Sequence, residues 1–438
     1  MSWNLLYFLD ALAILAFVIS YYLTCYQQGY RIDFWHLQLF STTVLPILIM
    51  LPFSKNEMNR VVLGQDFPAT VEALPFAFLA SLLGFFSMLL GGSLWRLKAG
   101  LGIRRAAGQV LDIVPRCSMM LMSSRHVLIF QALLCFFLQI VILSIYFSQA
   151  GFGFDLREFT FAHPNFRPVA LLISGYSVTI ASHCLARYID KKEKILLACT
   201  LLLSFGLLFF GARSNIVTIY IAILVCYLIK LRTRIGLFKL ASLIFVILVI
   251  GLYLGNLRAG NYSVGAFFST LAIAILFGNN FSDLREFAWV YADWNHKFWV
   301  GKTYLAALIS FVPRFVSEFR DTWGIGVVTS TTLGFDPHVH PGVRPGAFGE
   351  GYFNFGLPGV VAIGLLLGII SRYIDIYTKK NLAPQRFSMM RAFAFTNLTI
   401  VTGAIAITSS ASSLYVLGVI FLFTWVCRQV QRIFLIQN

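Results

Sequence analysis

Arginines and one glycine-flanked carboxylate are the residues of this sequence best suited to chemistry. Arg213 stands in Gly211-Ala212-Arg213-Ser214-Asn215, a turn between two short apolar runs. A run of about 17 helical residues rises only about 25 Å, less than the hydrocarbon thickness of a bilayer. The tip of that hairpin is therefore expected to hold Arg213 in a cavity below the membrane surface, where a guanidinium is costly and points to function. Arg258 follows Gly255-Asn256-Leu257, Arg314 follows Pro313, Arg320 comes six residues later, and Arg344 lies in Pro341-Gly342-Val343-Arg344-Pro345-Gly346. Guanidinium groups pair bidentately with phosphate oxygens. The alternative for each is an anchor to lipid phosphate, or a partner for Asp283, Glu286, Glu318 or Asp321.

The densest polar stretch runs from Asp336 to Gly359, DPHVHPGVRPGAFGEGYFNFGLPG, with His338, His340, Arg344, Glu350, Tyr352 and Asn354 threaded among glycines and prolines. Glu350 stands at the mouth of an apolar run. A carboxylate there is a general-base candidate, with His340 second; the competing role is a helix-entry residue favoured by the helix dipole. Tyr352 and Asn354 join the arginines as substrate-binding candidates. His338 and His340 beside Asp336 have no third ligand close in sequence, so no metal is expected. There is no D-x-D, Walker A or H-E-x-x-H pattern, and hence no sign of a metal-bound nucleotide sugar or a cofactor. Acids at mid-span positions, which a proton-coupled carrier would use, are almost missing.

The elements that must position these residues are membrane helices. Of 438 residues 58% are hydrophobic and 12% charged, about half the charge of a soluble domain. Eleven apolar runs are long enough, or nearly so, to cross as helices: Asn4 to Thr24, Phe34 to Phe53, Ala73 to Trp95, Val127 to Gln149, Pro168 to Ala186, Ile195 to Gly211, Asn215 to Ile229, Leu240 to Leu257, Tyr352 to Ser371, Ala392 to Ser409 and Ser413 to Cys427. The expected fold is all-α and polytopic. It comprises an N-terminal bundle over 1–257, a large loop over 258–351 and C-terminal helices over 352–438. Within the loop, Gly265 to Gly278 and Tyr304 to Phe315 are too short to span and suit interfacial or re-entrant helices.

The net charge of +16 is a topology signal, with no nucleic acid implied. Giving alternate loops to opposite sides puts 22 of the 34 Lys and Arg residues on one face with five acids. Excess basic residues in short loops mark the cytoplasmic face. The amino terminus and the 258–351 loop are thus expected outside and the carboxyl terminus inside. The basic loop Arg96 to Arg125 either lies on anionic headgroups as a helix or only sets orientation. No cysteine falls in an expected external segment, so no disulfide is implied.

Arg213 in its glycine-headed turn, Gly301-Lys302-Thr303-Tyr304 through Pro313-Arg314, and Gly349-Glu350-Gly351-Tyr352-Phe353-Asn354-Phe355-Gly356 together resemble the O-antigen polymerases, the Wzy-type oligosaccharide repeat-unit polymerases. Many members carry a lysine-proline pair downstream of Pro-Arg, where this chain has Phe319-Arg320-Asp321. The resemblance implies a multi-pass glycosyltransferase of the bacterial inner membrane, acting at the periplasmic face without metal or nucleotide. Such an enzyme moves a growing glycan from undecaprenyl pyrophosphate onto a newly flipped lipid-linked repeat unit, among membrane lipids and alongside a chain-length regulator and a flippase. An O-antigen ligase transferring to lipid A core, or a lipid-linked oligosaccharide flippase or other transporter, are the alternatives.

Overall fold

The computed structural model describes residues 2–29, 33–57, 67–94, 101–152, 156, 159–160, 163, 166–210, 213–231, scattered positions from 242 to 267, 281–310, 312, 316–337, 340, 342–382, 388–408 and 412–436. All regular structure among them is helical. The elements in order are α1 (Trp3–Tyr26), α2 (Phe34–Ser54), α3 (Phe67–Leu94), α4 (Leu101–Ser123), α5 (Arg125–Ala150), α6 (Arg167–Lys191), α7 (Lys194–Phe209) and α8 (Arg213–Leu231). Four short helices follow, α9 (Asp283–Asp293), α10 (Lys302–Leu308), α11 (Glu318–Trp323) and α12 (Ile325–Thr332). The chain closes with α13 (Gly346–Asn381), α14 (Met389–Thr408) and α15 (Ser412–Ile436).

Helices cover ten of the eleven apolar runs; the eighth, Leu240 to Leu257, lies for the most part outside the described residues. Among the described residues six helices are long and apolar enough to cross a membrane: α1, α2, α3, α5, α6 and α13. Apolar stretches within α7, α8 and α15 are shorter. The basic segment after residue 96 contains α4, which carries an exposed Arg116–Asp112 pair at 2.9 Å. Of the expected re-entrant stretch Tyr304 to Phe315, the described residues include the end of α10, and Gly265 to Gly278 lies mostly outside the described residues.

Contacts divide the chain into two compact units, one of Met1–Ala99, Phe268–Tyr377 and Thr402–Ala411, the other of Gly100–Phe267, Thr378–Val401 and Ser412–Asn438. The division crosses the boundaries read from sequence at 257 and 351. The reason lies in α9, which packs along α3 and ties the first three helices to the segment after 268.

In the first unit α3 and α13 touch backbone to backbone. A Cβ on Gly364 would come within 2.5 Å of the Gly84 carbonyl, one on Gly368 within 2.1 Å of the Met88 carbonyl, and one on Gly91 within 2.4 Å of the Leu365 carbonyl. Gly364 and Gly368 are one helical turn apart, the small-residue spacing that lets apolar helices approach where water supplies no hydrophobic drive. Phe78, Phe85, Phe287, Phe348 and Phe353 fill the core beside this seam.

The second unit is tied by side-chain polar bonds between apolar helices. Gln131 of α5 donates to Thr424 of α15 at 2.8 Å and accepts from Tyr176 of α6 at 3.2 Å, while Gln139 donates to Ser177 at 2.8 Å. Asp190 closes α6 by accepting from the Met389 and Met390 amides at 2.7 and 2.8 Å, so that its carboxylate caps the start of α14. An apolar groove of about 190 Å³, lined by Leu138, Leu172, Val416, Phe423 and neighbours, runs between α5, α6 and α15.

Candidate functional site

The site forms because α13 cannot remain straight. Pro358 has no N–H, so the Asn354 carbonyl loses its helical donor. Gly356 adopts φ 67° and ψ −156°, outside the helical region, and turns the Leu357 amide away from Phe353. The chain doubles back sharply enough that a Cβ on Gly359 would meet the Gly351 carbonyl at 2.2 Å. Two buried carbonyls are thereby orphaned, and orphaned backbone groups must find partners. The turn before α10 supplies them: the Trp299 amide donates to the Phe353 carbonyl at 2.9 Å and the Val300 amide to the Asn354 carbonyl at 3.2 Å. Val300 holds φ 50° to do so, a strained conformation for a β-branched residue of the kind that clusters at functional sites.

This docking seats Gly301-Lys302-Thr303-Tyr304 against Glu350. Asn354 accepts from the Gly301 amide at 2.8 Å through Oδ1, and its Nδ2 donates to Thr303 Oγ1 at 2.8 Å and to the Glu350 carbonyl at 2.9 Å. Thr303 in turn donates to Glu350 Oε1 at 2.7 Å. The relay Asn354 to Thr303 to Glu350 is directional, and all three residues are buried. Tyr304 Oη is buried without a hydrogen-bond partner among the described residues. Burial, and then the neighbouring Glu350 charge, push its phenol well above the ordinary tyrosine range. Around the turn Trp294 packs edge-on to Tyr352 and Phe353, Trp299 lies tilted against Phe353 at 4.9 Å, and Tyr352 is edge-on to Phe76 at 4.9 Å.

Next to this relay along the chain, Arg344 is held by two acids. Its Nε and Nη2 reach Asp283 Oδ1 at 3.2 and 3.1 Å, and its amide donates to Glu286. Asp283 is pushed up to about 6, by burial first, with the Arg344 charge opposing. Arg344 is part-exposed and engages Asp283 through the Nε and Nη2 edge of its guanidinium. His340 stacks on Phe335 at 4.4 Å, and its Nδ1 accepts from the Gly342 amide at 3.1 Å. That bond puts the ring proton on Nε2, so His340 presents a donor here where Glu350 presents an acceptor.

The remaining arginines are placed less fully. Arg213 begins α8 in the second unit. Arg258, Arg314 and His338 lie outside the described residues. Arg320 donates to the Val312 carbonyl. Two residues without an assigned role in the sequence belong to this buried cluster: Thr303 joins Glu350 to Asn354, and Tyr304 places there a hydroxyl without a partner among the described residues. The signal for the docking was Gly356-Leu357-Pro358, which predicts freed carbonyls, although not the segment that would satisfy them.

No protein-family model matches the chain, and neither a curated protein nor a solved structure is significantly similar to it.

Proposed function

We propose that the chain is a membrane glycosyltransferase that polymerises lipid-linked oligosaccharide repeat units at the periplasmic face of a bacterial inner membrane, within a bundle of about eleven spans. The observation that carries this reading is the buried relay at the kink of α13. A buried carboxylate that accepts from a threonine hydroxyl, in an aromatic surround and six residues along the chain from an arginine bound to acids, suits sugar-hydroxyl activation next to an anionic leaving group. In the reaction the acceptor hydroxyl gives its proton to Glu350 as its oxygen bonds to the anomeric carbon of the donor. The bond from that carbon to undecaprenyl pyrophosphate breaks, and the pyrophosphate departs with the electron pair. It needs positive charge and no proton. Arg344 supplies that charge, and Arg213, Arg258 and Arg314 are assigned the same role. Tyr352, Asn354 and the neighbouring tryptophans line the sugar side.

The deciding experiment is elongation of purified lipid-linked repeat units by the reconstituted protein, with no transmembrane step required. Polymer formation lost in Glu350→Gln supports the reading; unchanged repeat units with the wild type sink it. A deletion strain separates the related activities. A polymerase leaves single repeat units on the lipid core, a ligase leaves the core bare, and full-length chains on the core remove both.

A further inference from the structure

A second constellation lies in the first unit, where α1 ends and α2 begins. Cys25, Asp33 and His36 are all buried there, and one ligand atom from each lies within 4.8 Å of the others. Sequence spacing alone did not single out this trio. Asp33 caps α2, accepting from the His36 amide at 2.8 Å, and the three-residue step puts the His36 ring on the same side, with Nδ1 2.7 Å from Asp33 Oδ1. Cys25 arrives from the other helix, in the π-helical turn Tyr22–Tyr26 that widens the end of α1. Such turns within helices recur at functional sites.

We propose that Cys25, Asp33 and His36 hold a Zn²⁺ ion that clips the α1–α2 turn. Thiolate, carboxylate and imidazole are the donors zinc takes, and three protein ligands leave its fourth position for water. Ligand atoms of a tetrahedral zinc site stand about 3–4 Å apart at bond lengths of about 2.0–2.3 Å. Asp33 Oδ1 and His36 Nδ1 stand 2.7 Å apart and all three ligand atoms lie within 4.8 Å of one another, so small rotamer shifts reach that geometry. On metal entry the thiol proton leaves to solvent and the His36 ring proton moves to Nε2. Two acceptors already stand there, Ser20 Oγ at 3.2 Å and Thr24 Oγ1 at 3.4 Å. A metal-bound histidine characteristically donates its other ring N–H in this way. The surround is closely packed and hydrogen-bonded: Trp35 lies edge-on to His36 at 4.8 Å, Arg372 sits over Trp35 at 4.8 Å, and Asp375 accepts from the Phe34 amide at 3.1 Å while pairing with Arg372. The net charge closes as well, since a thiolate and a carboxylate neutralise the dication in a buried place where unpaired charge is costly.

This site is independent of the transferase reading, and its test does not use turnover. Full-length tag-free protein in detergent is saturated with Zn²⁺, dialysed against a weak chelator and analysed for bound metal. About one zinc per chain is expected in the wild type and in Cys117→Ser, and at least a tenfold loss in Cys25→Ser and His36→Ala. Co²⁺ loading should give a thiolate-to-cobalt charge-transfer band in the wild type that Cys25→Ser lacks. A wild type that retains no zinc after saturation overturns the proposal without recourse to any variant. So does a Cys25→Ser protein that keeps the wild-type amount.

Discussion

Glu350 accepts a hydrogen bond from a threonine that itself receives one from Asn354, so the three side chains act as a unit. Glu350→Gln keeps the shape and removes the proton acceptor; turnover in glycan elongation should fall by about 10²–10⁴. Thr303→Val removes the bridging hydroxyl and leaves the Asn354 amide short of an acceptor, at about 1–3 kcal/mol of stability. Its turnover should fall less than that of Glu350→Gln, and its melting temperature should drop more. Asp283 offers a separate test. Its folded value near 6 lies above its ordinary 3.8, so the folded protein binds the proton more tightly than the unfolded chain. Stability from this group is therefore greatest below about pH 4 and declines as pH rises toward about 6. Melting curves of the wild type and Asp283→Asn across that window should differ in slope, the wild type losing more on the way up; parallel curves would remove Asp283 as the cause.

At the scale of elements, the decisive feature is a helix interrupted where its partner segment docks. Gly356→Ala forces a side chain onto φ 67° and should cost roughly 1–3 kcal/mol, read as a lower melting temperature together with weaker elongation. Pro358→Ala acts differently. It restores an N–H that competes with Val300 for the Asn354 carbonyl, so amide exchange at Val300 should quicken while the protein stays folded. Hydrogen-exchange mass spectrometry over 295–304 measures this. Gly368→Leu places bulk where a single Cβ already meets the Met88 carbonyl at 2.1 Å. It should drive α3 from α13 and abolish the monodisperse peak in detergent size-exclusion chromatography.

At the scale of the whole molecule, the proposed reaction requires its arginines at the periplasmic face. Cysteines placed beside Arg213 and Arg258 should react with a membrane-impermeant maleimide from the periplasm, and Arg213→Ala and Arg258→Ala should insert normally yet form no long polymer. Labelling from the cytosol alone would leave the diphosphate without its proposed ligands. The apolar runs were legible from composition because a hydrocarbon solvent admits only helices with satisfied backbones, and the helices found follow those runs closely. Glu350 and Asn354 were legible too, as polar residues crowded by glycine before an apolar run. Sequence could not pair Glu350 with Thr303, 47 residues away, nor Cys25 with Asp33 and His36 across a turn, nor group α1–α3 with the segment after 268. Those partnerships depend on which orphaned carbonyls a docking turn reaches and on which glycine faces let two helices touch. They are properties of packed surfaces in three dimensions, and a linear pattern of hydrophobicity and charge carries no record of them.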